Sequence, residues 1–120
     1  MKYMIMMFGG LEASLTERSA EWITEMQTTM MQMDRELRES GEVIDSRHLT
    51  DPTQATTVRF TGGAPTPTDG PFAEIKESLA GYWIIEGGYE RAVEIASRVV
   101  AVTRYPMEVR RVMDEPPHQM

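Results

Sequence analysis

The stretch Leu79-Ala80-Gly81-Tyr82-Trp83-Ile84-Ile85-Glu86 decides the fold. Its apolar run has the length of a strand and stops at Gly87-Gly88. Side chains alternate along a strand, so Trp83 and Ile84 point to opposite faces. A sheet built on this strand can cover one face with helices. The other face still presents apolar groups, and a second subunit is expected to cover it.

Working toward the C-terminus, Ala92, Ile95, Ala96 and Val99 share one face of a helix expected over Tyr89 to Val99. A closing strand is expected over about Pro106 to Met113, with Val109, Met107 and Met113 inward. Asp114 to Met120 is polar and proline-bearing, and reads as a disordered tail.

Working toward the N-terminus, residues 69–78 form a turn with room for one helical turn. Residues 55–61, ATTVRFT, alternate and are β-branched, which predicts a strand. Gly62-Gly63 turns the chain, and Ala64 to Thr68 returns as an arm that Pro65 and Pro67 confine to an edge. Residues 42–49, EVIDSRHL, predict another strand, broken by Asp51-Pro52. The longest helix has capping-box spacing at Ser14-Leu15-Thr16-Glu17 and a stripe at Trp22, Met26, Met30, Met33 and Leu37. It is expected to run roughly 25 residues before Gly41 stops it. The methionines read as core filling. Residues 2–8, KYMIMMF, predict a first strand buried on both faces. The order is that of an α+β, ferredoxin-like βαββαβ domain with an extra hairpin arm.

Composition sets the bounds. The chain has 120 residues, enough for one domain, expected over residues 1–113. It has no cysteine, which removes disulfides, zinc thiolates and a cysteine nucleophile. No signal peptide and no membrane span are legible, and a cytoplasmic location is expected. The net charge is −7, and Arg104, Arg110 and Arg111 stand close to Glu108, Asp114 and Glu115, so neither nucleic acid nor a membrane is an expected partner.

Thr68-Asp69-Gly70-Pro71-Phe72-Ala73-Glu74-Ile75-Lys76-Glu77, followed by Leu79-Ala80-Gly81-Tyr82, resembles the signature of the YCII-related family in its Asp-Gly-Pro-Phe (DGPF) branch. Met1-Lys2-Tyr3-Met4, Ala55-Thr56-Thr57-Val58-Arg59 and Glu108-Val109-Arg110 resemble its first, third and closing strands. The resemblance implies a dimeric α+β barrel. Some relatives look like small enzymes that pair a histidine on the first helix with an aspartate near the second, and one is a dehydrochlorinase of a chlorinated hydroquinone. Here methionine stands at that helix position, near Met30 or Met31, and Ser97 to Pro106 holds no aspartate, so that dyad does not carry over.

Asp69 is the first chemical candidate. On a tight turn it can serve as an acid/base group in a cleft, or as the cap of an Asx-turn. Gly70 supplies unusual backbone geometry and Pro71 stiffens the turn. Phe72 reads as a core plug, with a pocket wall as the alternative. His48 is the second acid/base candidate, against a reading as a solvent-facing loop residue. Arg59, Lys76, Tyr82 and Arg110 are candidates for holding a small acidic or phenolic ligand, against solvated charges for Lys76. No second histidine stands at ligand spacing, so neither a metal nor another cofactor is expected. Two functions follow as expectations. One is a homodimeric small-molecule-binding protein, with Asp69 serving a lyase- or isomerase-like reaction. The other is a non-catalytic interaction module in which the motif is structural.

Overall fold

A computed structural model describes residues 1–9 and 18–114; the side chain of Lys76 lies outside that description. The elements are β1 (Lys2–Phe8), α1 (Ala20–Glu39), β2 (Val43–His48), a 3₁₀ turn (Pro52–Gln54), β3 (Thr56–Thr61), β4 (Ala64–Asp69), a 3₁₀ turn (Ile75–Glu77), β5 (Leu79–Glu86), α2 (Tyr89–Thr103) and β6 (Met107–Val112). The main sheet has the order β2-β5-β1-β6, and all its neighbours are antiparallel. With the hairpin set aside, this is the βαββαβ plan of a ferredoxin-like α+β fold, as the sequence order implies.

Directly paired residues share a face. Tyr3, Ile5, Trp83 and Ile85 point to the helix side, and Met4, Met6, Tyr82 and Ile84 to the other. The helix side is the core. Ile5, Trp83 and Ile85 pack there against Met33 and Leu37 of α1 and Ala92, Ile95 and Val99 of α2, all at most 2 % exposed. Removing each large side chain of this set from water stabilises the fold by about 2 kcal/mol. Val109 and Met107 pack against the cluster as expected, whereas Met113 lies past the end of β6 and is 61 % exposed.

The helix α1 has 20 residues and starts later than the capping box implies. Its N-cap is Ser19, whose Oγ accepts from the Trp22 amide at 3.1 Å. The Ser14–Glu17 box and the tail after Asp114 lie outside the described residues. The Trp22–Leu37 stripe does face inward, with Met33 and Leu37 fully covered.

The strands β3 and β4 form a sheet of their own, joined through Gly62-Gly63 at φ 61° and 83°. Positive φ at both central residues is what a tight two-residue hairpin requires, and glycine meets it without strain. The radius of gyration is 16.4 Å, against about 14 Å for a compact chain of this length. The hairpin is an arm that stands away from the sheet.

Candidate functional site

The sequence candidates fall into three separate places. The first is the root of the arm. Asp69 ends β4 opposite Thr56, and the chain then turns through Gly70 at φ 107°. The Gly70 amide donates to the Ala55 carbonyl at 2.8 Å, and the Thr57 hydroxyl donates to the Gly70 carbonyl at 2.7 Å. These two bonds tie the Asp-Gly-Pro-Phe turn to the first residues of β3. A side chain at Gly70 would meet no neighbour, so its demand for glycine is one of backbone angle alone.

The Asp69 side chain is exposed and makes no hydrogen bond or ion pair among the described residues. Among the described residues no amide bond of an Asx-turn holds it. Phe72 is 84 % exposed, so it is no core plug in this chain. Instead the Arg59 guanidinium stands 5.8 Å from the centre of the Phe72 ring, within cation–π reach. One guanidinium nitrogen donates to the Thr68 hydroxyl at 3.1 Å, which in turn donates to the Thr57 carbonyl at 3.1 Å. No carboxylate pairs with Arg59 among the described residues. Lys76 belongs to the following 3₁₀ turn.

The second place is the open sheet face. The Tyr82 hydroxyl donates to Asp45 at 3.1 Å. Burial, and then the Asp45 carboxylate, push the phenol above its ordinary range. Arg110 is on β6, exposed, with Glu108 3.9 Å away. The third place is the helix-side edge. His48 pairs with Gly81, and its Nδ1 stands 3.4 Å from where a Gly81 Cβ would be. No hydrogen bond or ion pair joins His48 to Asp69 among the described residues.

Sequence reasoning missed Asp34. It lies on the inward half of α1, and its two oxygens accept from the Trp83 indole at 3.0 Å and from Arg38 at 2.7 Å. Burial pushes its carboxyl up, but the bonds from Arg38 and Trp83 outweigh that and leave it below the ordinary carboxylate value, with the charge of His48 adding to the fall. The available signal was an acid four residues after Met30 and three before Leu37, inside the apolar stripe. Among the described residues, no group of three or more His, Asp or Glu side chains is arranged to hold a metal, and no helix is long and apolar enough to cross a membrane.

A βαββαβ sheet with a projecting hairpin, and an Asp-Gly-Pro-Phe turn at the hairpin's root, defines a ferredoxin-like α+β protein with an inserted arm. The model of the YCII-related domain matches residues 1–116, and the chain belongs to that family. A search of curated proteins gives no match.

Proposed function

We propose that the protein is a homodimer that binds a small anionic molecule with a planar group at the root of the arm. The observation that carries this reading is Arg59, a guanidinium without a carboxylate partner among the described residues, set beside the exposed ring of Phe72. Arginine forks match carboxylates and phenolates, and an exposed ring offers a stacking surface. Asp69 ends β4 at the same root but on the hairpin face opposite Arg59, and its acid/base use awaits a ligand that reaches round to it. One copy leaves Val58 and Phe60 exposed at 63 % and 76 %, which supports a second copy over the arm.

The test is ligand-observed NMR with benzoate, salicylate and chlorinated phenols. Wild type should bind at least one of them. Arg59→Met should weaken that binding at least tenfold, and Asp69→Asn should leave binding in place while abolishing any turnover. Absence of binding to every probe would defeat this reading.

A second reading keeps a specific observation of its own. The bonds from the Gly70 amide to Ala55 and from Thr57 to the Gly70 carbonyl lock the turn to β3, which is what a purely structural motif needs. On that reading the protein is an interaction module, and Gly70→Ala would harm the arm's assembly without any ligand being involved.

A further inference from the structure

Directly paired residues of the hairpin share a face, so Thr57, Arg59 and Thr61 of β3 stand together with Thr68, Thr66 and Ala64 of β4. That face is a row of hydroxyls around one guanidinium. Thr68 stands diagonal to Arg59, and its hydroxyl accepts from Arg59 Nη1 at 3.1 Å. The same hydroxyl gives its own hydrogen to the Thr57 carbonyl at 3.1 Å. Thr57 donates its hydroxyl in turn to the Gly70 carbonyl at 2.7 Å, two residues before Phe72. Thr57 therefore anchors both halves of the site. Its carbonyl fixes the arginine through Thr68, and its hydroxyl fixes the turn that carries the ring.

A guanidinium offers two edges on which a pair of parallel N–H bonds can grip one carboxylate. The end edge is made by Nη1 and Nη2, and the side edge by Nε and Nη2. Nη1 lies on the Cδ side of the group, away from the Nε hydrogen, so it belongs to the end edge only. Thr68 engages Nη1. Neither Nε nor Nη2 makes a hydrogen bond or ion pair among the described residues, so the side edge is complete and open. Two parallel donors fit two oxygens on one carbon. A phenolate has a single oxygen, cannot meet both donors in line, and would be served as well by the point charge of a lysine.

We propose that the ligand at the root of the arm is an aromatic carboxylate gripped through Nε and Nη2 of Arg59, with Thr68 as the positioning residue that holds this fork, a narrowing of the ligand class that rests on the reading above. An arginine on an exposed strand has many rotamers to lose when it binds. The bond to Thr68 removes part of that freedom before the ligand arrives, and the Phe72 ring 5.8 Å from the guanidinium limits it further. The hydroxyl of Thr68 is the part that matters, since it accepts from Arg59 while its own hydrogen is held by Thr57.

The test compares benzoate with trichlorophenolate, both aromatic anions at neutral pH, on the full chain. Benzoate should bind wild type and move the Arg59 Nε–H resonance downfield. Arg59→Lys keeps the charge and removes the fork, so it should weaken benzoate at least about tenfold and trichlorophenolate far less. Thr68→Val should weaken benzoate about fivefold with unchanged circular dichroism, the size of one lost hydrogen bond, and Thr68→Ser should bind as wild type does. A wild type that takes trichlorophenolate alone, or an Arg59→Lys variant that holds benzoate undiminished, overturns the carboxylate fork and leaves an anion site standing. Equal losses in Thr68→Val and Thr68→Ser overturn the positioning role. If neither anion binds wild type, the ligand reading fails and the fork with it.

Discussion

At the residue scale, two positions on β5 show how closely the core side of the sheet is specified. A Cβ on Gly81 would sit 2.8 Å from the Arg47 carbonyl oxygen, a backbone atom that cannot swing aside. It would also press on the His48 ring and the Met7 methyl at 3.4 and 3.5 Å. Gly81→Ala should therefore cost about 1–3 kcal/mol, the usual size of an overpacked core site, seen as a lower midpoint in urea denaturation. Two residues on, Trp83 is 1 % exposed and its indole depends on Asp34 for an acceptor. Asp34→Leu strands that donor in the core and should cost about 1–3 kcal/mol, while Asp34→Asn keeps an acceptor and should cost less. Equal losses in the two variants would show that the hydrogen bond is unimportant. Asp69 gives the contrast: exposed and without a hydrogen bond or ion pair among the described residues, it should tolerate Asn with little change in stability.

At the scale of elements, the ends of the helices hold the layers in register. Ser19→Ala removes the acceptor for the Trp22 amide at the start of α1 and should cost about 1 kcal/mol. Where α1 passes into β2, both Glu42 oxygens take nitrogens of Arg91 on α2, at 2.7 and 2.9 Å. The Arg91 bonds hold the Glu42 carboxyl below its ordinary value against a smaller upward push from burial. A carboxyl whose folded-state value is depressed leaves the native state with fewer bound protons than the unfolded chain. Its contribution is complete above the unfolded value near pH 4 and is lost as pH falls through the lower folded value. Asp34 acts in the same direction. Thermal unfolding below about pH 4 should therefore be gentler in Glu42→Gln, with wild type and variant converging at the lowest pH. A constant gap between the two across acid pH would place the stabilisation elsewhere. These ties between distant elements were not legible in the sequence: Glu42 and Arg91 are 49 residues apart, and no spacing rule links them. The elements themselves were legible, because periodicity is local. The stripes of α1 and α2 and the apolar run of β5 each carry their own signal. The start of α1 differs from the expectation because Ser19 carries the capping chemistry read at Ser14, and it is Ser19 that accepts from the Trp22 amide at the start of Ala20–Glu39.

At the scale of the molecule, the sheet and the arm behave as two separate structures on one chain. Ferredoxin-like topology followed from element order alone, but the arm's isolation did not, since alternation in Thr56–Thr61 fits a strand of the main sheet equally well. Nor was the scatter of candidate residues legible. Tyr82 and Arg110 share the open sheet face, His48 the helix side and Asp69 the arm, because strand parity and register, fixed only by pairing, decide where a side chain points. The root of the arm allows a direct experiment on this division. The Gly70 amide already meets the Ala55 carbonyl at 2.8 Å, so a chain lacking Thr56–Asp69 can be closed there with a short glycine link and little strain. A lone two-stranded hairpin adds little to the stability of a core it does not touch. The shortened chain should keep the β2-β5-β1-β6 sheet, with its midpoint of thermal unfolding within a few degrees of that of the wild-type monomer. It should lose the aromatic-anion binding proposed for Arg59 and Phe72. If it fails to fold, the arm belongs to the core. If it folds and two copies of it associate, the contact between them runs through the open face of Met4, Tyr82 and Ile84 rather than the arm.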